Sequence, residues 1–159
     1  MQTTKKIDQG IFLNKLKELE NLKVTAVFQS PVNMIWVDLA DESNNKKYKL
    51  VFDGFWFIER NKEVFVINED FFNESETDFM LRLRNKCALV EKQVTKIIKV
   101  NIDEDWGYIE VAFDQDFVLL AEPNNFGYVG LYDLQTQKCY SVRTKINNQF
   151  IQEASLFKK

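Results

Sequence analysis

Apolar residues change their spacing along this chain, and the changes mark out its elements. From Asp8 to Leu22, Phe12, Leu16 and Leu19 recur at helical spacing; Leu13 and Leu22 flank them, and Lys15, Lys17, Glu18 and Glu20 fill the other side. That predicts an amphipathic helix with Asp8 as its N-cap, weakened at its start by Gly10. The period then drops to two. Lys23 to Gln29, Met34 to Ala40, Lys47 to Phe52, Phe55 to Glu59 and Glu63 to Ile67 are predicted strands. Ser30-Pro31-Val32-Asn33 reads as a turn, Asp41 to Asn45 as a polar loop and Asp53-Gly54 as a hairpin turn. Connections this short predict an antiparallel meander.

Ser75-Glu76-Thr77-Asp78 then carries a capping signature, and Phe79, Met80, Leu83 and Cys87 fit one helical face. A strand is the rival for residues 75–91, because Phe79, Leu81 and Leu83 also alternate; Met80 breaks that alternation and favours the helix. Period two returns in Thr95 to Ile102, Gly107 to Phe113, Phe117 to Glu122, Gly127 to Tyr132 and Lys138 to Arg143. Asn147 to Phe157 is expected to close the chain as a short helix, using Phe150, Ile151, Ala154 and Phe157.

The expected class is therefore α+β: antiparallel β-meanders with two or three helices in a single globular domain, residues 1–159. The order of elements repeats, a helix and then five strands. This raises a tandem α-β5 duplication with halves 7–70 and 75–145. Val24-Thr25 and Val94-Thr95 occupy matching positions at an offset of 70. The competing explanation is that antiparallel meanders resemble one another.

Composition narrows the chemistry. The chain has no histidine, which removes the usual general base near neutral pH, the Ser-His-Asp and Cys-His arrangements and every zinc site that uses His. Cys87 and Cys139 match no metal or redox spacing and read as buried thiols. None of the five glycines forms a phosphate-binding loop. No cofactor and no metal are implied. Asp103-Glu104-Asp105-Trp106-Gly107 faintly resembles the start of a calcium loop, but the later ligands are missing and a solvated turn is the simpler reading. Carboxylate chemistry remains open, with Asp38, Glu59, Glu110 and Glu122 as the candidates.

The net charge is −3, with charges of both signs interspersed, so nucleic acid is not an expected partner, apart from a local basic patch around Arg82, Arg84 and Lys86. No stretch is apolar enough for a membrane span or a secretory leader, and cytoplasmic residence is the default expectation.

The aromatics say more. Alternation puts Trp36 with Met34 and Asp38, opposite Ile35, Val37 and Leu39; it puts Trp56 with Ile58, opposite Phe55 and Phe57. Both faces of the first-half sheet are thus apolar. Either both are covered by other parts of the chain, or a Trp-bearing face meets a partner. Trp36, Asp38, Trp56, Trp106, Tyr108, Tyr128 and Tyr132 are the candidate partner-binding residues. The expected function is a non-enzymatic protein-binding domain, of which an immunity or inhibitor protein is one concrete form. The alternatives are a small-molecule binding domain or carboxylate-based hydrolase, and a homodimeric structural or phage accessory protein.

Overall fold

A computed structural model describes residues 4–7, 9–29, 34–69, 74–103, 108–122, 128–142 and 151–155. In chain order the elements are β1 (Thr4–Ile7), α1 (Gln9–Lys17), β2 (Lys23–Gln29), β3 (Met34–Asp41), β4 (Lys46–Asp53), β5 (Phe55–Arg60), β6 (Glu63–Ile67), α2 (Glu76–Gln93), β7 (Ile97–Asp103), β8 (Tyr108–Phe113), β9 (Phe117–Glu122), β10 (Tyr128–Asp133), β11 (Lys138–Val142) and β12 (Ile151–Ser155). Every strand pairing is antiparallel, and the class is α+β.

The strands form two sheets. One has seven strands in the order β1-β12-β11-β10-β4-β3-β2; the other has five in the order β6-β5-β9-β8-β7. The five strands after α1 therefore do not make one meander. Asp53-Gly54 is not a hairpin turn, because β4 pairs with β3 and β10 while β5 pairs with β9 and β6. Gly54 sits at the corner where the chain leaves one sheet for the other. Its φ of 133° is one that a side chain would oppose, which is why glycine serves there.

Residues 75–91 are helical. The Ser75 side chain accepts from the Asp78 amide at 3.2 Å, and Phe79, Leu83, Cys87 and Val90 form the buried face. The helix predicted over Asn147 to Phe157 is contradicted in its described part, 151–155; the rest of that span lies outside the described residues. Ile151–Ser155 is β12, seated between β11 and β1, and β1 itself was not foreseen. The proposed N-cap Asp8 and the turn at 30–33 lie outside the described residues.

One core joins the layers. Ile35, Val37, Leu39, Leu50 and Phe52 from the seven-stranded sheet share a cluster with Trp56, Ile58, Val111, Phe117 and Leu119 from the other. Phe12 and Leu16 of α1, Leu19 in the turn after it and the buried face of α2 complete it. Each helix runs beside the last strand of a sheet, α2 along β2 and α1 along β7. Those edges are closed by carboxylates as well as by packing. The Val27 amide donates to Glu91 Oε1 at 2.9 Å, and the Val100 amide to Glu20 Oε2 at 2.9 Å. An edge N–H that would otherwise recruit a foreign strand is thus satisfied within the chain.

Candidate functional site

The alternation in β3 turns Ile35, Val37 and Leu39 into the core and leaves Trp36 and Asp38 on the opposite face. Strand register then fixes their neighbours on that outer face. Phe28, Trp36, Val51 and Gly130 form one cross-strand row; Ala26, Asp38, Lys49 and Tyr132 form the next. Val51 and Gly130 are buried, so the row is open only toward β2.

Trp36 is held from both sides. Phe28 stacks on it with centroids 4.8 Å apart and planes 28° from parallel; on the β4 side, Lys49 Nζ lies 4.8 Å from its ring. The same ammonium reaches Asp38 Oδ1 at 3.6 Å. Lys49 and Asp38 are each about one-third exposed, so this pair orients the lysine more than it stabilises the fold. Phe28 is 41% exposed, a large fraction for a phenylalanine in a strand. The result is a ridge of Phe28, Trp36 and Lys49 with its rotamers fixed before any partner arrives.

Beside the ridge, toward the β3–β4 turn, lies an open hollow of about 310 Å³ bordered by Thr25, Asp38, Lys47, Tyr48, Lys49 and Leu134. Burial, and after it the charge of Asp133, pushes the Tyr48 phenol above its usual range, so it stays neutral. The β3–β4 turn next to the hollow carries its own side-chain bonds. Asp41 accepts from the Ser43 hydroxyl at 2.8 Å and from Asn44 Nδ2 at 2.8 Å; these bonds outweigh desolvation and hold its carboxyl below the ordinary range. Lys47, Lys49 and Asp38 border the hollow, and the charges of Asp133 and Asp41 act on its Tyr48 wall, so both signs of charge surround it.

The predicted site residues divide. Trp36, Asp38 and Tyr132 come together on this face. Trp56 does not, because it is fully buried and packs in the core beside Ile58. The grouping of Trp56 with Ile58 holds, and Phe55 and Phe57 lie on the other face of the five-stranded sheet, 5.8 Å apart edge to face. Trp106 lies outside the described residues, and only the backbone of Tyr108 and Tyr128 is described, paired with Asp103 and Asp53. Phe28 is the residue the sequence reading missed. Its strand was predicted, but period two marks it only as one side of a short β2.

The candidate carboxylates do not converge. Asp38 is on the outer face of the seven-stranded sheet, whereas Glu59, Glu110 and Glu122 belong to strands of the other. Glu59 and Glu110 are separated by β9, which is about 10 Å at the usual strand spacing. Among the described residues no three acidic or thiol side chains gather as metal ligands, and no helix is long and apolar enough to cross a membrane. Of the basic residues around α2, Arg82 is tied to Glu74 at 2.8 Å and Lys86 lies over Phe65, so they form no open patch. No protein-family model, curated protein or solved structure matches this chain, so the ridge and the hollow beside it carry the functional argument alone.

Proposed function

We propose that the chain is a protein-binding module whose partner docks on the outer face of the seven-stranded sheet, over Phe28, Trp36 and Lys49. One observation carries this reading: a stacked aromatic pair on the last strands of a sheet, more exposed than the fold requires and already ordered by a lysine. Rigid aromatic anchors beside a cation are the residue types that dominate interface energetics, because little side-chain entropy is lost when they bind. An immunity or inhibitor protein, neutralising one partner by occlusion, is the concrete version.

The test is a photo-crosslinking amino acid at position 28 of the full chain, expressed in its own host. Position 99, on an exposed strand of the other sheet, serves as the control. A single protein species captured at 28 and absent at 99 supports the proposal. Equal capture at both positions, or none at 28, sinks it. The hollow favours a second reading, small-molecule binding: its volume lies at the lower end of ligand pockets, and it has charged groups at its rim. A metabolite found bound to the purified protein and lost on Lys47→Ala would choose that reading.

A further inference from the structure

We infer that the chain is a covalent pseudo-dimer: one α-β5 unit present twice, each copy giving its last two strands to the other's sheet. This stands independently of the binding proposal. The strand orders supply the frame. Read from one end, one sheet runs β2-β3-β4-β10-β11 and the other β7-β8-β9-β5-β6. Replacing each strand of the first list by the strand five places later or earlier in the chain gives the second list, in the same order.

Registers repeat as well. Val27 opposite Val37 corresponds to Val100 opposite Val111, and Val24 opposite Leu39 to Ile97 opposite Phe113. A bulge interrupts β2 at Thr25 and β7 at Ile98, the equivalent position. Across the exchanged strands, Leu50 opposite Leu131 corresponds to Leu119 opposite Ile58, and Phe52 opposite Val129 to Ala121 opposite Trp56. In that last pair the large ring moves to the other strand and the small residue takes its place, which keeps the core filled.

The helices match at an offset of 71. Phe12, Leu16 and Leu19 take the places of Leu83, Cys87 and Val90, all buried. Asn14, Lys15 and Glu20 recur as Asn85, Lys86 and Glu91. The repeated glutamates and lysines make contacts of the same kind. Glu20 and Glu91 each accept from the edge amide of the other copy's first strand, Val100 and Val27. Lys15 lies 5.3 Å from the Tyr140 ring on β11 and Lys86 4.4 Å from the Phe65 ring on β6; the two rings are one residue apart in register, because β6 bulges at Phe65 and β11 does not. The axis relating the copies passes through an isolated bridge between Lys23 and Lys96. There the Val24 amide donates to the Thr95 carbonyl and the Ile97 amide to the Leu22 carbonyl, two bonds that exchange under the same rotation.

Meanders that merely look alike share alternation. They have no reason to share an exchanged hairpin, a bulge at one position, an edge-capping carboxylate and a lysine over the other copy's ring. The comparison also separates scaffold from specialisation. The equivalents of Phe28 and Trp36 are Asn101 and Glu110, so the aromatic ridge belongs to one copy only.

The test exchanges the helix segments within the full chain, residues 12–20 for 83–91 and the reverse. A second variant makes the same exchange one residue out of phase, 12–20 for 84–92. The in-phase variant is expected to keep a single cooperative unfolding transition and the out-of-phase variant to lose it; equal outcomes for the two overturn the inference. A backbone readout guards against a packing failure. Glu20→Ala should speed amide exchange at Val100, and Glu91→Ala at Val27, each roughly 5–30-fold, as expected for losing about 1–2 kcal/mol locally. Acceleration at only one of the two amides also counts against it.

Discussion

Replacing Phe28 by alanine separates what the aromatic ridge does for the fold from what it leaves free for a partner. Phe28 keeps 41% of its surface in water, on the last strand of its sheet, and its ring stacks on Trp36 at 4.8 Å. A cross-strand aromatic pair contributes about 0.2–1 kcal/mol. The covered remainder of the ring adds a similar amount at about 25 cal/mol per Å², once alanine's own burial and the compactness of the unfolded chain are allowed for. The total is about 1–2 kcal/mol, which lowers the melting temperature of a chain this long by about 2–8 °C. Trp56→Ala, at a fully buried position, should cost about 3–5 kcal/mol. Thermal unfolding followed by circular dichroism compares the two variants directly. A loss for Phe28→Ala as large as that for Trp56→Ala would mean the ring is spent on folding, and the argument for a docking ridge would fail.

Three further outcomes are expected. Trp56→Phe should change stability by no more than about 1.5 kcal/mol in urea titrations, because the buried indole Nε1 has no hydrogen-bond partner among the described residues and losing it offsets part of the lost ring area. Asp114 is raised by desolvation, but this is outweighed by bonds from the Thr95 hydroxyl and the Thr95 and Lys96 amides, so its carboxyl titrates below the ordinary range. Its contribution is therefore complete above the usual Asp value and fades as pH falls through the depressed one; the gap in unfolding midpoint between the parent and Asp114→Asn should close on acidification. Burial pushes the Cys87 thiol up to about 12, so a thiol reagent at pH 8 should modify it only as fast as the fold opens, and immediately in denaturant.

Much of the fold was legible because alternation is a local signal. Ile35, Val37 and Leu39 read as one face and share one, turned to the core; the strands from Lys23 to Ile67 begin and end within a residue or so of expectation. What a strand pairs with is not local. Asp53-Gly54 has hairpin chemistry, yet it serves a corner, since the β5 partner lies in β9. Phe150, Ile151, Ala154 and Phe157 fit helical spacing only because a window that short cannot tell a helix from a paired strand. The alignment proposed above for the two halves was not legible: it pairs Val24 with Ile97 rather than Val94, with offsets of 71 around the helices, 73 in the first strands and 69 at Leu50 and Leu119, so no single shift displays it. For the candidate site, the sequence placed Trp36 on the correct face. It could not tell Trp36 from Trp56, because both sit on strands apolar on two sides and only tertiary packing decides which side is covered.

The crossing at Gly54 has a consequence for how this protein is made. Leu50 must wait for Leu131 and Phe57 for Leu120, so neither sheet can be completed from the first copy alone. During synthesis the ribosome releases β4 and β5 with their inner edges unpaired, and they stay so until some sixty to eighty further residues have emerged. Non-local pairing of that kind is slow, and exposed strand edges are where nascent chains aggregate. Chains stopped before β9 should therefore depend on holdase chaperones, whereas the finished chain, with both edges filled, should not.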